Sequence, residues 1–189
     1  AFEALKNCLV ALDIKVDDHP NFEKCDAEFK RLTEEIQSID IDTIVNKAVD
    51  RDSNLTAVGA VLVETTSAAF WSDTLTFYQM SLIMVKTHLS TGSYPQAGIG
   101  FLQLALISIT RFNMVAFGSN LGDIALALMD RWHDPYTLGR GGTIYSTFVG
   151  HLQHPLKASI LQLESALESA IQAGDRISTI LNFGFAGQD

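Results

Sequence analysis

Helical segments of similar length recur along this chain at intervals of about forty residues, a spacing found in known helical repeats. Apolar segments with helical spacing are predicted to begin near Asn54, Tyr94, Leu138 and Asp175, and each except the last is followed by a partner helix. Such a recurrence is typical of solenoids, whose units bury their apolar faces on their neighbours. The sequence therefore predicts an all-α fold, a right-handed α-solenoid of degenerate tetratricopeptide-like helix pairs.

Residues that stop and start helices separate these segments. Ser72-Asp73, Gly92, the region of Asn113 and Gly174-Asp175 supply the breaks. The predicted pairs are 54–72 with 74–91, 94–110 with 113–132, and 138–152 with 156–173, followed by the start of a truncated helix at 175–189. Neither end resembles a capping repeat. We therefore expect 1–189 to be a single helical-repeat array excised from a longer protein.

The first 49 residues carry most of the charge and are predicted to form helices over 1–13 and 21–37. Asn21 is a suitable N-cap for the second of these helices. An apolar stripe then follows at helical spacing, formed by Phe22, Cys25, Phe29, Leu32 and Ile36. We expect both helices to pack on the 54–72 helix as part of the same array.

The overall charge limits the classes of partner. The formal net charge of −9 argues against sequence-independent nucleic-acid binding, which requires a basic face, and against docking on an anionic membrane. The longest apolar stretches are interrupted by Glu64 or are too short to cross a bilayer. Cys8 and Cys25 are predicted to be buried thiols in a reducing compartment. We expect a cytoplasmic protein with no bound membrane or nucleic acid.

Small residues are concentrated where helices are predicted to cross closely. Gly118 and Gly122 share a helix face at i, i+4, and Ala125 lies three residues further along. We expect this face to meet the preceding helix around Gly98, Leu102 and Ala105. Glycine inside a helix costs about 1 kcal/mol relative to alanine, so close packing has to offset that cost.

The order of several segments along the chain resembles a known family. The segments are LVALDIKVDDHPN, SLIMVKTHLSTGSYPQAGIGF, GSNLGDIALALMDRW, FVGHLQHPL and SALESAIQAGD. Their succession resembles the helical middle region of large multidomain signalling kinases of fungi and bacteria. These proteins join a serine/threonine-kinase-like domain, a STAND-class ATPase, tetratricopeptide-like repeats, a GAF domain and a histidine kinase of two-component systems.

The resemblance implies a non-catalytic role in signal transduction for this chain. It would bind protein segments or neighbouring domains of its parent protein and couple that binding to the attached ATPase and kinase domains. The phosphate-loop pattern GxxxxGK[ST] does not occur in the sequence, and Leu152 follows His151 where the family usually has an aromatic residue. The alternative is a domain that senses a small-molecule inducer for a STAND-type ATPase, with the segment 140–145 as its candidate site.

Other candidate sites favour structural interpretations. His151 lacks the acidic neighbour of a histidine-kinase phosphoacceptor, and Pro155 follows it too closely. Asp130 and His133 can share a helix face but lack further ligands, so we predict neither a metal nor a cofactor. The glycine-rich run 138–142 can in principle cradle a phosphate, but we interpret it as a flexible loop between repeats because no strand precedes it. No catalytic residue is predicted.

Aromatic residues provide the strongest candidate for a binding surface. Most aromatic side chains at helical spacing belong to a core, but a subset can line the concave groove of a helical array. Arginines nearby would contact an acidic partner or ligand. The predicted groove residues are Tyr78, Phe101, Phe117 and Tyr145, with Arg111 or Arg140 beside them.

Overall fold

A computed structural model describes residues 7, 9–11, 14, 16–17, 19–49 and 53–186. Within these residues the chain is helical, with an isolated bridge between Val49 and Ser93 and no β-strand. The all-α prediction is therefore confirmed for the described part of the chain. The helices are α1 (Phe22–Ser38), α2 (Ile41–Val45), α3 (Ser53–Ser72), α4 (Thr74–Ser90), α5 (Ala97–Phe112), α6 (Val115–Trp132), α7 (Pro135–Phe148), a 3₁₀ turn (Gly150–Leu152), α8 (Leu156–Ala173) and α9 (Arg176–Ala186).

The helix ends follow local capping chemistry. Asn21 caps α1 as predicted, since its Oδ1 accepts from the Lys24 amide at 2.9 Å. Helix α7 begins at Pro135 rather than at 138, because the Asp134 carboxylate accepts from the Thr137 amide and proline suits the first helical turn. The predicted helix 1–13 falls mostly outside the described residues, of which 7 and 9–11 are helical.

The chain divides into two compact units at residues 100 and 101, within α5. In the first unit, α1 packs on α4, whereas the sequence predicted the 54–72 helix as its neighbour. The Tyr78 hydroxyl donates to Asp26 Oδ1 at 3.2 Å, and its ring meets Phe29 edge-on with centroids 6.5 Å apart. Helix α3 packs on α4, as the predicted pairing requires.

The stripe predicted on α1 is buried except at its first residue. Cys25, Phe29, Leu32 and Ile36 belong to the core of the first unit, but 42% of Phe22 is exposed. Phe22 is the first residue of α1, and the buried stripe begins one turn later at Cys25. Cys8 lies outside the described residues.

One described helix meets the length and composition criteria for crossing a membrane. The window Leu55–Ser72 of α3 does so even though it contains Glu64, and 39% of it is buried inside the structure. A core helix of a water-soluble protein also meets these criteria. The window meets these criteria by length and composition only, with Glu64 inside it.

In the second unit, helices α7, α8 and α9 form a three-helix group, here called the α7–α9 cluster. Helix α8 packs on α7, which confirms that predicted pair, and α9 packs on both α8 and α7. Helix α6 also packs on α7. The repeat geometry of a solenoid stays a prediction.

Gly118 and Gly122 of α6 face different neighbours, although the sequence predicted one shared partner. A Cβ atom added at Gly118 would lie 2.5 Å from Ile109 Cγ1 of α5. One added at Gly122 would lie 2.9 Å from Val149 Cγ1 and 3.2 Å from Tyr145 Cε2. Tyr145 belongs to α7, and Val149 directly follows that helix. Four residues along a helix rotate the side-chain direction by about 40°, which is enough to change neighbours.

Replacing Gly122 with leucine is expected to overpack its contact with Tyr145 and Val149. The predicted cost is about 1–3 kcal/mol in the free energy of unfolding, measured by urea denaturation. The matched control is Gly184→Leu, because an added Cβ there meets nothing within 4 Å. We expect this control to be neutral or stabilising by at most about 1 kcal/mol. Equal midpoints for the Gly122 variant and the parent would contradict the close packing.

Candidate functional site

The structure places the predicted groove aromatics in protein interiors. Tyr78 is buried in the first unit, and Phe101, Phe117 and Tyr145 are buried in the second. The Tyr145 hydroxyl donates to Gln153 Oε1 at 3.1 Å. These four rings therefore contribute to core packing instead of forming an open wall. Arg111 is exposed, with its guanidinium 5.7 Å from the centroid of the neighbouring Phe112 ring.

Arg140, the other predicted binding arginine, is engaged inside the α7–α9 cluster. Its Nε donates to Asp175 Oδ2 at 3.0 Å, and both side chains are almost completely buried. Its guanidinium carbon also lies 4.7 Å from the centroid of the Tyr136 ring. A planar cation held by a carboxylate and an aromatic face is a rigid structural element. The segment 140–145 thus contributes a buried anchor to the cluster.

The glycine-rich run 138–142 lies in the middle of α7, so its interpretation as a flexible loop is wrong. The Asp134 cap starts the helix before the first glycine, and the run continues it. A Cβ atom added at Gly139 would lie 2.6 Å from the backbone nitrogen of Ala170. One added at Gly142 would lie 2.7 Å from Ala166 Cβ. These glycines allow the backbones of α7 and α8 to come close together.

Asp175 combines two structural roles. It precedes α9, and its Oδ1 accepts from the amides of Ile177 and Ser178, each at 3.2 Å, as a helix cap does. Its Oδ2 accepts from the Ser178 hydroxyl at 2.7 Å as well as from Arg140. Burial raises the pKa of the Asp175 carboxyl, but the hydrogen bonds from Arg140 and Ser178 outweigh it and hold the pKa below its usual value of 3.8.

The inner face of α9 is polar. Asn182 is buried and donates from Nδ2 to Thr143 Oγ1 of α7 at 2.7 Å and to the Ser178 carbonyl at 2.9 Å. With Asp175 and Ser178, it forms a stripe at i, i+3 and i+7, which is the spacing of one helix face. Helix α9 is thus attached to α7 through hydrogen bonds and one ion pair.

The outer face of α9 carries three exposed apolar side chains, with the exposed Arg176 one turn before Ile180. The exposed fractions are 56% for Ile177, 69% for Ile180 and 61% for Phe183. Amphipathic helices in globular proteins normally bury their apolar stripe and expose their polar one. Helix α9 has the reverse arrangement, so its apolar stripe is the most unusual surface feature of the cluster.

Helix α8 extends this surface. Leu161 and Ile171 are exposed and share one face with the exposed carboxylates of Glu164 and Glu168, at spacings of three and four residues. The connection between α8 and α9 consists of Gly174 and Asp175 only, and the two helices pack on each other. We call the exposed residues of both helices the α8–α9 outer surface: Leu161, Glu164, Glu168, Ile171, Ile177, Ile180 and Phe183.

Sequence reasoning missed this surface, although one signal was present. Ile177, Ile180 and Phe183 follow each other at three-residue spacing; Asp175 precedes them, and Ser178 and Asn182 lie between them. Two stripes with helical spacing therefore coexist on one short helix. In the structure, the partners Arg140 and Thr143 on α7 hold the polar stripe inward.

The other candidate residues remain separate. His133 Nδ1 lies 3.9 Å from Asp130 Oδ1, with both side chains exposed. Among the residues that the structure describes, no group of three His, Cys, Asp or Glu side chains could hold a metal ion. His151 is exposed in the 3₁₀ turn between α7 and α8.

Comparisons with known proteins give no relative: no family model, no curated protein and no solved structure matches this chain.

Removing the Asp175 side chain is expected to destabilise the α7–α9 cluster strongly. Asp175→Ala deletes the α9 cap and leaves Arg140 buried without its carboxylate, for a loss of about 3–5 kcal/mol. The double variant Arg140→Met/Asp175→Asn keeps a capping side chain and buries no charge, so it should recover most of that loss. Urea denaturation monitored by circular dichroism measures both. Equal stabilities for the single and double variants would contradict the coupling.

Acidification is expected to weaken the same contact. Because the folded-state pKa of Asp175 lies below its unfolded value, its contribution to stability is complete above about pH 4. That contribution is lost as the pH falls below this value and the carboxyl becomes protonated. Below about pH 4, the free energy of unfolding of Asp175→Asn should therefore depend less steeply on pH than that of the parent, because the variant lacks this titrating carboxyl group. Parallel pH profiles would show that Asp175 does not titrate in this way.

Proposed function

We propose that this chain is a non-catalytic regulatory module that binds protein segments within a signalling histidine kinase. The observation that supports the binding role is the α8–α9 outer surface, where both helices have exposed apolar side chains. Contiguous apolar surface with a polar border commonly marks a protein interaction site. The kinase context is supported by the family resemblance of the sequence.

The buried polar residues of the cluster support a binding role over a catalytic one. Arg140 and Asp175 form the kind of buried ion pair that can mark an active site. Here, however, Arg140 is held by Tyr136 and Asp175, and the Asp175 carboxylate caps α9 with both of its oxygens engaged. The ionisable groups are thus used for docking one helix on another.

The regulatory mechanism that we propose is a shift in population. The two states in this proposal are α9 docked on α7 through the Arg140–Asp175 and Asn182–Thr143 contacts, and α9 undocked from them. A partner that binds only the docked state would increase its population and change how attached domains are connected. The coupling is limited by the difference in the partner's affinity for the two states.

The proposal predicts that the purified chain neither hydrolyses ATP nor phosphorylates itself. Radiolabelled ATP measures both activities, and robust turnover by this chain would overturn the proposal. A thermal-shift screen with metabolites serves as the second measurement, because a ligand that binds only the folded state raises the melting temperature. A metabolite that raises the melting temperature at micromolar concentration would favour small-molecule sensing over protein binding as the function of this chain.

A further inference from the structure

We propose that the α7–α8 crossing binds an internal water molecule between the hydroxyl groups of Ser146 on α7 and Ser159 on α8. This site is separate from the α8–α9 outer surface, and the inference does not depend on the proposed function.

The two hydroxyl groups are buried without a hydrogen-bond partner in the described part of the chain. Only 4% of Ser146 and 5% of Ser159 is exposed, and neither Oγ atom forms a hydrogen bond with a described residue. Most buried hydroxyl groups have a partner, because an unpaired one loses its hydrogen bonds to bulk water without replacement. Ordered water is the common partner where the protein itself supplies none.

Thr143 shows the bond that a hydroxyl group inside a helix usually forms. Its Oγ1 donates to the Gly139 carbonyl, one turn earlier in α7, at 2.8 Å. A serine inside a helix can form the same bond to its own backbone. Neither Ser146 nor Ser159 forms it, so both hydroxyl groups are free to bond to a molecule between the helices.

The glycines of α7 show how this helix faces α8. A Cβ atom added at Gly139 would lie 2.6 Å from the backbone nitrogen of Ala170, and one added at Gly142 would lie 2.7 Å from Ala166 Cβ. The later residue of α7 thus meets the earlier residue of α8. The two helices therefore run antiparallel at their crossing, and these four residues define their facing stripes.

Ser146 and Ser159 extend these stripes at the same end of the crossing. Ser146 follows Gly142 by four residues, and Ser159 precedes Ala166 by seven, which are spacings of a single helix face. Moving forward along α7 corresponds to moving backward along α8 in this antiparallel pair. Both serines therefore border the α7–α8 interface beyond the glycine contacts.

The chemistry and size of this position fit a water molecule. A buried water is held by two to four polar partners, and each serine hydroxyl group can donate to it or accept from it. The helices come close together one turn away, at Gly142 and Ala166, so a small molecule is the expected occupant. Alanine would complete both small-residue stripes without requiring any partner, whereas serine brings a hydroxyl group that a water molecule satisfies.

Oxygen-17 magnetic relaxation dispersion tests the site in the intact chain, because it detects water molecules that remain bound inside a protein. The double variant Ser146→Ala/Ser159→Ala should lose the contribution of about one long-lived water relative to the parent. The control is Ser165→Ala, which removes an exposed hydroxyl group from α8 and should leave the dispersion unchanged. Equal amplitudes for the double variant and the parent would overturn the proposal.

A double-mutant cycle in urea provides the second measurement. Ser146→Ala and Ser159→Ala should each raise the equilibrium constant of unfolding by at least about threefold, because each removes one partner of the shared water. The double variant should raise it by less than the product of the two single effects, since the same water is lost only once. Ser165→Ala should change the constant by less than about twofold, as surface substitutions usually do.

Two patterns of results contradict a bridging water. Single variants that stabilise the chain, with effects that add, would show that the hydroxyl groups are buried unpaired. Coupled single effects with unchanged relaxation dispersion would indicate a direct hydrogen bond between the two serines. The expected result is coupling between the serines together with the loss of the water contribution.

Discussion

The close crossing of α7 and α8 is the constraint on which the second unit depends. Gly139 and Gly142 lie one turn apart and meet the backbone of Ala170 and the methyl group of Ala166. Larger residues at these positions would push the helices apart. Each helical glycine costs about 1 kcal/mol in propensity, so packing has to offset that cost. The glycines are therefore a requirement of the tertiary contact, although they weaken α7 as an isolated helix.

This crossing positions the side chains that hold α9. Arg140 lies between the two glycines in sequence and donates to Asp175. Thr143, three residues after Arg140, accepts a hydrogen bond from Asn182. Buried polar contacts of this kind specify one orientation more strongly than they stabilise it, because desolvation offsets much of their energy. The orientation of α9, and with it the exposure of Ile180, follows from where α7 places these groups.

The sequence predicted the helices much better than their neighbours. Capping residues and apolar spacing located the helices because these signals are local, as Asn21 and Gly174 illustrate. The aromatic groove was proposed from the same spacing, yet Phe101 and Tyr145 are buried. The spacing that places a residue on a face does not reveal what covers that face. For α9 the sequence is ambiguous because both stripes have helical spacing, and the contacts with Arg140 and Thr143 show which of them faces inward.

Asp175 links the formation of α9 to its attachment. The same carboxylate caps the first turn and accepts from Arg140, so an undocked α9 would keep its cap but lose its ion pair, and an unfolded α9 would lose both. Helix formation and docking are thus expected to reinforce each other, as coupled interactions in one network do. A protein segment bound to the α8–α9 outer surface, as proposed, would add to this cooperativity. Its stabilising effect on the cluster would grow with partner concentration as RT ln(1 + [L]/Kd). The apolar stripe and the buried ion pair, on opposite faces of α9, would therefore act on the same equilibrium.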